Sequence, residues 1–202
     1  MRVQRLIKET CRIVSEDVGK VKAAQIARSA QKRYEALRAE NSSDSKELRS
    51  HSHKRIYPGI AVYEAMRAED ISQEKATWYI REYFQRLAAK RVPFFQRAIK
   101  TFGLARKFPH LFVAGVKKSC QPNAGFVYEL PESHNNEARL NIVRCPYFEI
   151  CKRYGCPEIT SAYCDSDDAG YSNLHPNLIW GRTKTIGHGD DCCDFLLEYK
   201  EK

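Results

Sequence analysis

A chain of 202 residues can bury a core without covalent cross-links, and it contains no apolar run of about 18 residues that could span a membrane. Its first stretch, MRVQRLIKETCRIV, breaks its apolar positions with charges and builds no signal-peptide core, so a cytoplasmic protein with eight reduced cysteines is the expectation. The net charge of +9 is divided, because residues 1–118 hold 26 Lys+Arg against 12 Asp+Glu while residues 119–202 hold 8 against 13. A basic half of this kind suits a nucleic acid or an anionic membrane, but equally a solvated helical face or one that docks on its acidic neighbour. The last two are the expectation, and nucleic acid is not expected as a partner.

From Val3 to Leu37 the apolar residues recur mostly at steps of three and four, which predicts one long or two shorter amphipathic helices with Gly19 as the interruption. Residues 41–54, NSSDSKELRSHSHK, are polar and serine-rich and read as an exposed connection, with His51 and His53 as loop residues. Pro58 suits the first turn of a helix. Asp70 with Gln73 resembles a capping box for a helix carrying Ile71, Trp78, Ile80, Phe84 and Leu87. Pro93 is read as the start of another helix that stops at Gly103. Aromatics from Phe94 to Phe112 alternate with Lys and Arg, a pattern open to a membrane surface or to stacking on bases, with packing against a neighbouring helix preferred.

Beyond Ser119 the period shifts toward two. GFVYEL (125–130) and ARLNIVR (138–144) predict a hairpin, and residues 147–154 a short helix ending at Gly155. Pro157 and Glu158 open a helix running to about Ala169, and NLIWGRTKTI (177–186) and CDFLLEY (193–199) predict two antiparallel strands. The fold class is therefore α+β: a basic helical lobe over 1–118, then an α+β, cysteine-rich lobe over 119–202 with a small, mainly antiparallel sheet and one or two helices.

Chemistry concentrates in the second lobe. On a helix Cys164 and Asp167 share a face, and Asp168 comes round to the same side, so a thiol and carboxylates would point into one space. A carboxylate there can hold water or take a proton, while a thiol becomes nucleophilic only where its pKa is lowered. Cys193 and Asp194 form a second thiol–carboxylate pair, of which a strand can offer only one member to a given pocket. Arg182 suits a forked grip on a substrate carboxylate, Arg144 offers a second cation, and His175 and His188 could shuttle protons. No CxxC pair occurs, so no cofactor is expected; a metal or iron–sulfur cluster would need Cys145, Cys156, Cys164 and Cys193 from separate elements.

Taken together, RCPYFEICKRYGCPE (144–158), CDSDDA (164–169) and RTKTIGHGDDCCDF (182–195) resemble the signature of the L-2-amino-thiazoline-4-carboxylic acid hydrolase family. The turn reads GHGDD where that family often has two adjacent glycines. The resemblance implies hydrolytic opening of a small cyclic amidine by water addition at the carbon between nitrogen and sulfur, giving an N-carbamoyl amino acid. Under it Asp167 would bind the amidine and activate water, with Asp194 competing for that role. Cys164 or Cys193 would be nucleophile or partner of the ring sulfur, and Arg182 would bind the carboxylate, with Arg144, Asp168 and His175 as further binding residues. The alternative reading is a non-enzymatic metal, iron–sulfur or small-ligand sensor built on the same thiols. The expected partner is a small carboxylate-bearing molecule, and association into a homo-oligomer is compatible with the sequence.

Overall fold

The computed structural model describes residues 3–201. Helices α1 (Arg5–Val18) and α2 (Lys20–Glu40) meet at Gly19, whose φ of +82° is a region that glycine enters without a Cβ clash. The serine-rich stretch is not an exposed loop. Ser45 Oγ accepts the Leu48 amide at 3.0 Å and so caps α3 (Lys46–His51), which runs into a π-helical turn, Ser52–Ile56, and then α4 (Tyr57–Arg67). Asp44 accepts hydrogen bonds from the Ser52 hydroxyl (3.1 Å) and the Tyr57 hydroxyl (2.6 Å), which draws this polar segment inward. Composition alone does not report such partners.

Helix α5 (Gln73–Thr101) is capped by Ser72, not by Asp70, which sits at φ +60° two residues earlier. It also passes through Pro93 without stopping. The Ala89 carbonyl that loses its amide partner there lies on an exposed stretch where water can serve it. Beyond Phe84 only Ile99 of α5 is buried, so Phe94 (71% exposed) and Phe102 (72%) do not pack into the core as expected, whereas Phe112 on α6 (Phe108–Ser119) does.

The chain then forms β1 (Val127–Glu129), β2 (Glu137–Arg144), α7 (Pro146–Arg153), α8 (Thr160–Tyr171), β3 (Leu178–Trp180) and β4 (Cys193–Tyr199). The four strands make one antiparallel sheet in the order β1-β2-β4-β3, with Ile142 opposite Cys193 and Asn141 opposite Asp194. The α+β class thus holds, with a helical N-terminal part followed by the sheet and its helices. The third strand is shorter than its sequence pattern: residues 182–185 leave the ladder. Alternation fixes the buried face, since Ala138, Leu140 and Ile142 of β2 and Cys193, Phe195 and Leu197 of β4 all point inward. Helix α6 lies against β2 and β4, and α8 packs on α5. One cluster of buried side chains runs from Leu6 on α1 to Leu197 on β4. Among the described residues no helix is long and apolar enough to cross a membrane.

Candidate active site

Two adjoining cavities of about 420 and 460 Å³ open between α8, the π-helical turn, α5, α6 and the inner face of the sheet. Arg55, Asp167, Phe112 and Tyr171 line both, so these side chains stand at the junction. The smaller cavity is the one that holds the thiols. Cys164 and Asp167 enter it from one face of α8, as their three-residue spacing requires, and Cys193 enters from β4.

Burial sets the protonation states. Asp167 keeps 39% of its side-chain surface accessible and lines both cavities, with protein packed densely around it. Desolvation by the surrounding protein raises its pKa to about 6, against the opposing pull of Arg182 and Arg55. The carboxylate is therefore ionised at neutral pH while remaining a better base than an ordinary aspartate. The Cys164 thiol is pushed well above the usual thiol range by the adjoining Cys193 thiol and by burial, with Asp167 adding to the effect. Cys193 Sγ accepts the Ile186 amide at 3.4 Å. Cys145 and Cys120 line the same cavity, and burial raises their pKa values to about 12 and about 11.

Arg55 was not singled out by sequence, yet it faces both cavities and has no ion-pair partner within 4.0 Å among the described residues. Its pKa is raised, chiefly by the nearby Tyr147 hydroxyl, with Asp167 across the cleft contributing. It lies on the π-helical turn, a local irregularity that often marks functional positions because it re-aims side chains. The turn is held from below, since the Tyr163 hydroxyl donates to the Arg55 carbonyl at 3.1 Å. His51, expected as a loop residue, also lines the cleft. Its Nε2 donates to the Ser119 carbonyl (2.9 Å), its Nδ1 accepts from the Tyr147 hydroxyl (3.1 Å), and burial lowers its pKa, all consistent with a neutral ring.

The remaining sequence candidates lie elsewhere. Arg182 is 2% exposed and lies beneath the site, not in its lining. Its Nη2 donates to Asp168 and to the Cys164 carbonyl (3.0 Å), and its guanidinium sits near the rings of Trp180 and Phe195. Its Nη1, buried without a hydrogen-bond partner, is 3.6 Å from Asp167. Arg182 thus positions α8 and adds positive potential behind Asp167. Asp168 is engaged by Arg182 and by Trp180 Nε1 at 2.7 Å. Asp194 faces away from Cys193 and accepts the Thr183 hydroxyl (2.6 Å) and the Thr183 and Lys184 amides (2.9 and 2.5 Å). Burial acts to raise its pKa, but these hydrogen bonds outweigh it and the net shift is downward. His175 accepts the Asn177 amide at 3.1 Å in its own turn, Arg144 is exposed, and His188 pairs with Asp165 at 2.7 Å. None of these six side chains lines the cleft.

Of the possible metal ligands, Cys145, Cys164 and Cys193 reach the cleft, but Cys156 is buried apart with its thiol toward the Cys151 carbonyl at 3.5 Å. Among the described residues no group of three or more His, Cys, Asp or Glu side chains is arranged to hold a metal ion. The donor set does not fit a cluster.

A family model described as L-2-amino-thiazoline-4-carboxylic acid hydrolase matches residues 49–197, nearly three quarters of the chain. No curated protein matches significantly. Among solved structures, the Fe(II) unliganded H-NOX protein from K. algicida aligns at 10% identity over 98% of this chain and 96% of that one, with a TM-score of 0.34. A mutant of the same protein aligns at 10% identity over 97% and 95%, with a TM-score of 0.33. Superpositions this loose carry no argument about fold or ligand. The family match begins at Arg49, so it takes in His51 and Arg55, and the signal available in the sequence was the run HSHKRIYP ahead of a helix-opening proline.

Proposed function

Because this chain belongs to the L-2-amino-thiazoline-4-carboxylic acid hydrolase family, we propose that the cleft opens a small cyclic amidine bearing a carboxylate by adding water at the amidine carbon. The observation that carries this reading is the meeting of a raised-pKa carboxylate, a guanidinium without an ion-pair partner and four thiols around one hollow. Asp167 pairs with the amidine nitrogens and takes a proton from water, a task for which a pKa of about 6 suits it near neutral pH. Hydroxide adds to the carbon, the carbon–sulfur bond breaks, and a carbonyl forms. One water proton ends on the ring nitrogen and the other on the departing sulfur, giving an N-carbamoyl amino acid thiol. Arg55 holds the substrate carboxylate, the part that the sequence suggests for Arg182, which is buried beneath the site.

Thiolate, not thiol, is the attacking species, and Cys164 is held strongly toward the protonated form. Water is therefore the nucleophile, and Cys164 and Cys193 line the sulfur side of the pocket. Cys164→Ser should lower kcat by roughly tenfold or less, far below the loss expected from removing a general base; accumulation of a covalent adduct on Cys164 in a rapid-quench mass measurement would reverse this assignment. Arg55→Met should raise KM by about 10- to 100-fold with kcat little changed, as expected when a charge-assisted contact is made equally in ground and transition states. The direct test is incubation with 2-amino-thiazoline-4-carboxylate, following the release of free thiol and the N-carbamoyl product. Binding without any thiol release would favour the sensor reading instead.

A further inference from the structure

The larger cavity is more than a small heterocycle can use. It continues from Asp167 and Arg55 between α5, α6 and α8, with Phe84, Leu87, Phe108, Phe112 and Leu174 among its walls. Its volume of about 460 Å³ lies within the roughly 300–1,000 Å³ typical of sites for drug-sized ligands, more than one five-membered ring with an amino group and a carboxylate would fill. Two glycines face this arm, Gly115 inside α6 and Gly170 inside α8. Neither has a positive φ, and a Cβ at either would meet nothing within 4 Å. Glycine is unfavourable inside a helix, and here no close contact and no turn requires it. What the two glycines do is leave the arm wide. Near its outer end the arm carries Phe95 and Leu111, both about half exposed, and Arg91.

We propose that the ligand of this site is an amphiphilic carboxylate, with its polar head at Asp167 and Arg55 and an apolar substituent filling the arm past Gly115 and Gly170. This rests on the reading of the Asp167 end as the substrate site, and it extends the substrate class from a bare heterocycle to one carrying, or replaced by, an alkyl or aryl tail. The charges agree, since Lys54, Arg55 and Arg91 line the joined cavities against the single carboxylate of Asp167.

Unbranched alkanoates from acetate to dodecanoate, titrated into the full chain by calorimetry, provide the test. Affinity should rise about fourfold for each methylene that enters the arm, the increment expected for burying a CH₂ group. Gly115→Leu, and independently Gly170→Leu, should make the series level off at a shorter chain; circular dichroism checks that each variant is folded. A flat series in the unaltered protein overturns the proposal, as does a rising series that neither substitution shortens. Because the readout is binding, it separates from the hydrolysis assay. A rising, glycine-sensitive series without thiol release sinks the reaction and supports the amphiphile, and thiol release with a flat series does the reverse.

Discussion

Asp167→Asn is expected to lower kcat by roughly two to four orders of magnitude, the usual contribution of a positioned general base, while leaving the protein folded. The amide keeps the shape of the side chain and its place on α8 but can neither take a proton from water nor balance the charge of an amidinium. The pH profile expected of the unaltered protein follows from the same group. In the proposed role of general base Asp167 acts ionised, and burial raises its pKa to about 6, so kcat/KM should fall tenfold per unit as pH drops below about 6 and level off above it. The stability effect has the opposite sense. A carboxyl whose folded pKa lies above its unfolded value favours the fold below the unfolded pKa, and this contribution is lost as pH rises through the folded one. At neutral pH the ionised Asp167 therefore weakens the fold, and the inactive Asn variant should melt at a higher temperature than the parent. Full activity in Asp167→Asn would remove the proposed base, and a lower melting temperature would show that the carboxylate is stabilised in place and not held at a cost.

A second large effect is expected at a residue that does not itself line the cleft. Gly59 lies within α4, where exchange for alanine would ordinarily stabilise a helix by about 1 kcal/mol. Here the sign reverses. A Cβ at Gly59 would overlap the Tyr163 hydroxyl outright and lie 3.2 Å from its Cζ. Tyr163 has little room to retreat, being 7% exposed and packed edge-on against Phe84 and Tyr147. Overpacking of this kind costs about 1–3 kcal/mol, enough to outweigh the gain in propensity. It would also push the hydroxyl off the Arg55 carbonyl and so disturb the turn that presents Arg55 to the cleft. Gly59→Ala should thus lose stability in urea denaturation and raise KM together. Combining it with Tyr163→Phe removes the colliding oxygen and should recover most of the stability, giving a coupling energy between the two sites. Additive effects in that cycle would contradict the contact.

Gly187 makes an approach of the same kind closer to the chemistry. A Cβ there would lie 2.7 Å from Cys164 Sγ and 3.0 Å from both the Ser161 nitrogen and the Thr160 carbonyl carbon. The turn between Thr185 and Gly189 is thereby pressed against the start of α8, which fixes where the Cys164 thiol stands relative to Cys193. This explains why a glycine-containing turn accompanies the thiols in the segment RTKTIGHGDDCCDF.

Much of this architecture is written locally. The break at Gly19, the hairpin of β1 and β2, the end of α7 before Gly155 and the inward faces of β2 and β4 follow from three- and four-residue or two-residue periodicity and from turn residues. The shared face of Cys164 and Asp167 is likewise a consequence of helical spacing. The continuation of α5 through Pro93 and the inward draw of Ser45–Ile56 are not local. The first runs where the Ala89 carbonyl stands on an exposed stretch, and the second turns on Asp44 meeting Ser52 and Tyr57.

Helical and strand periods, together with the family's thiol and carboxylate segments, are determined by neighbours in the chain, because backbone hydrogen bonding imposes a fixed spacing on side-chain direction. Which arginine faces the cleft was decided only in three dimensions. Arg182 leaves its strand and is taken by Asp168 and the Cys164 carbonyl near two aromatic rings, while Arg55, one residue beyond the stretch that composition marks as loop, is lifted on a π-helical turn over Tyr163. A guanidinium on a long, freely rotating stem goes to whichever distant partner best replaces its water, and that choice exists only once the helices and the sheet have closed around it.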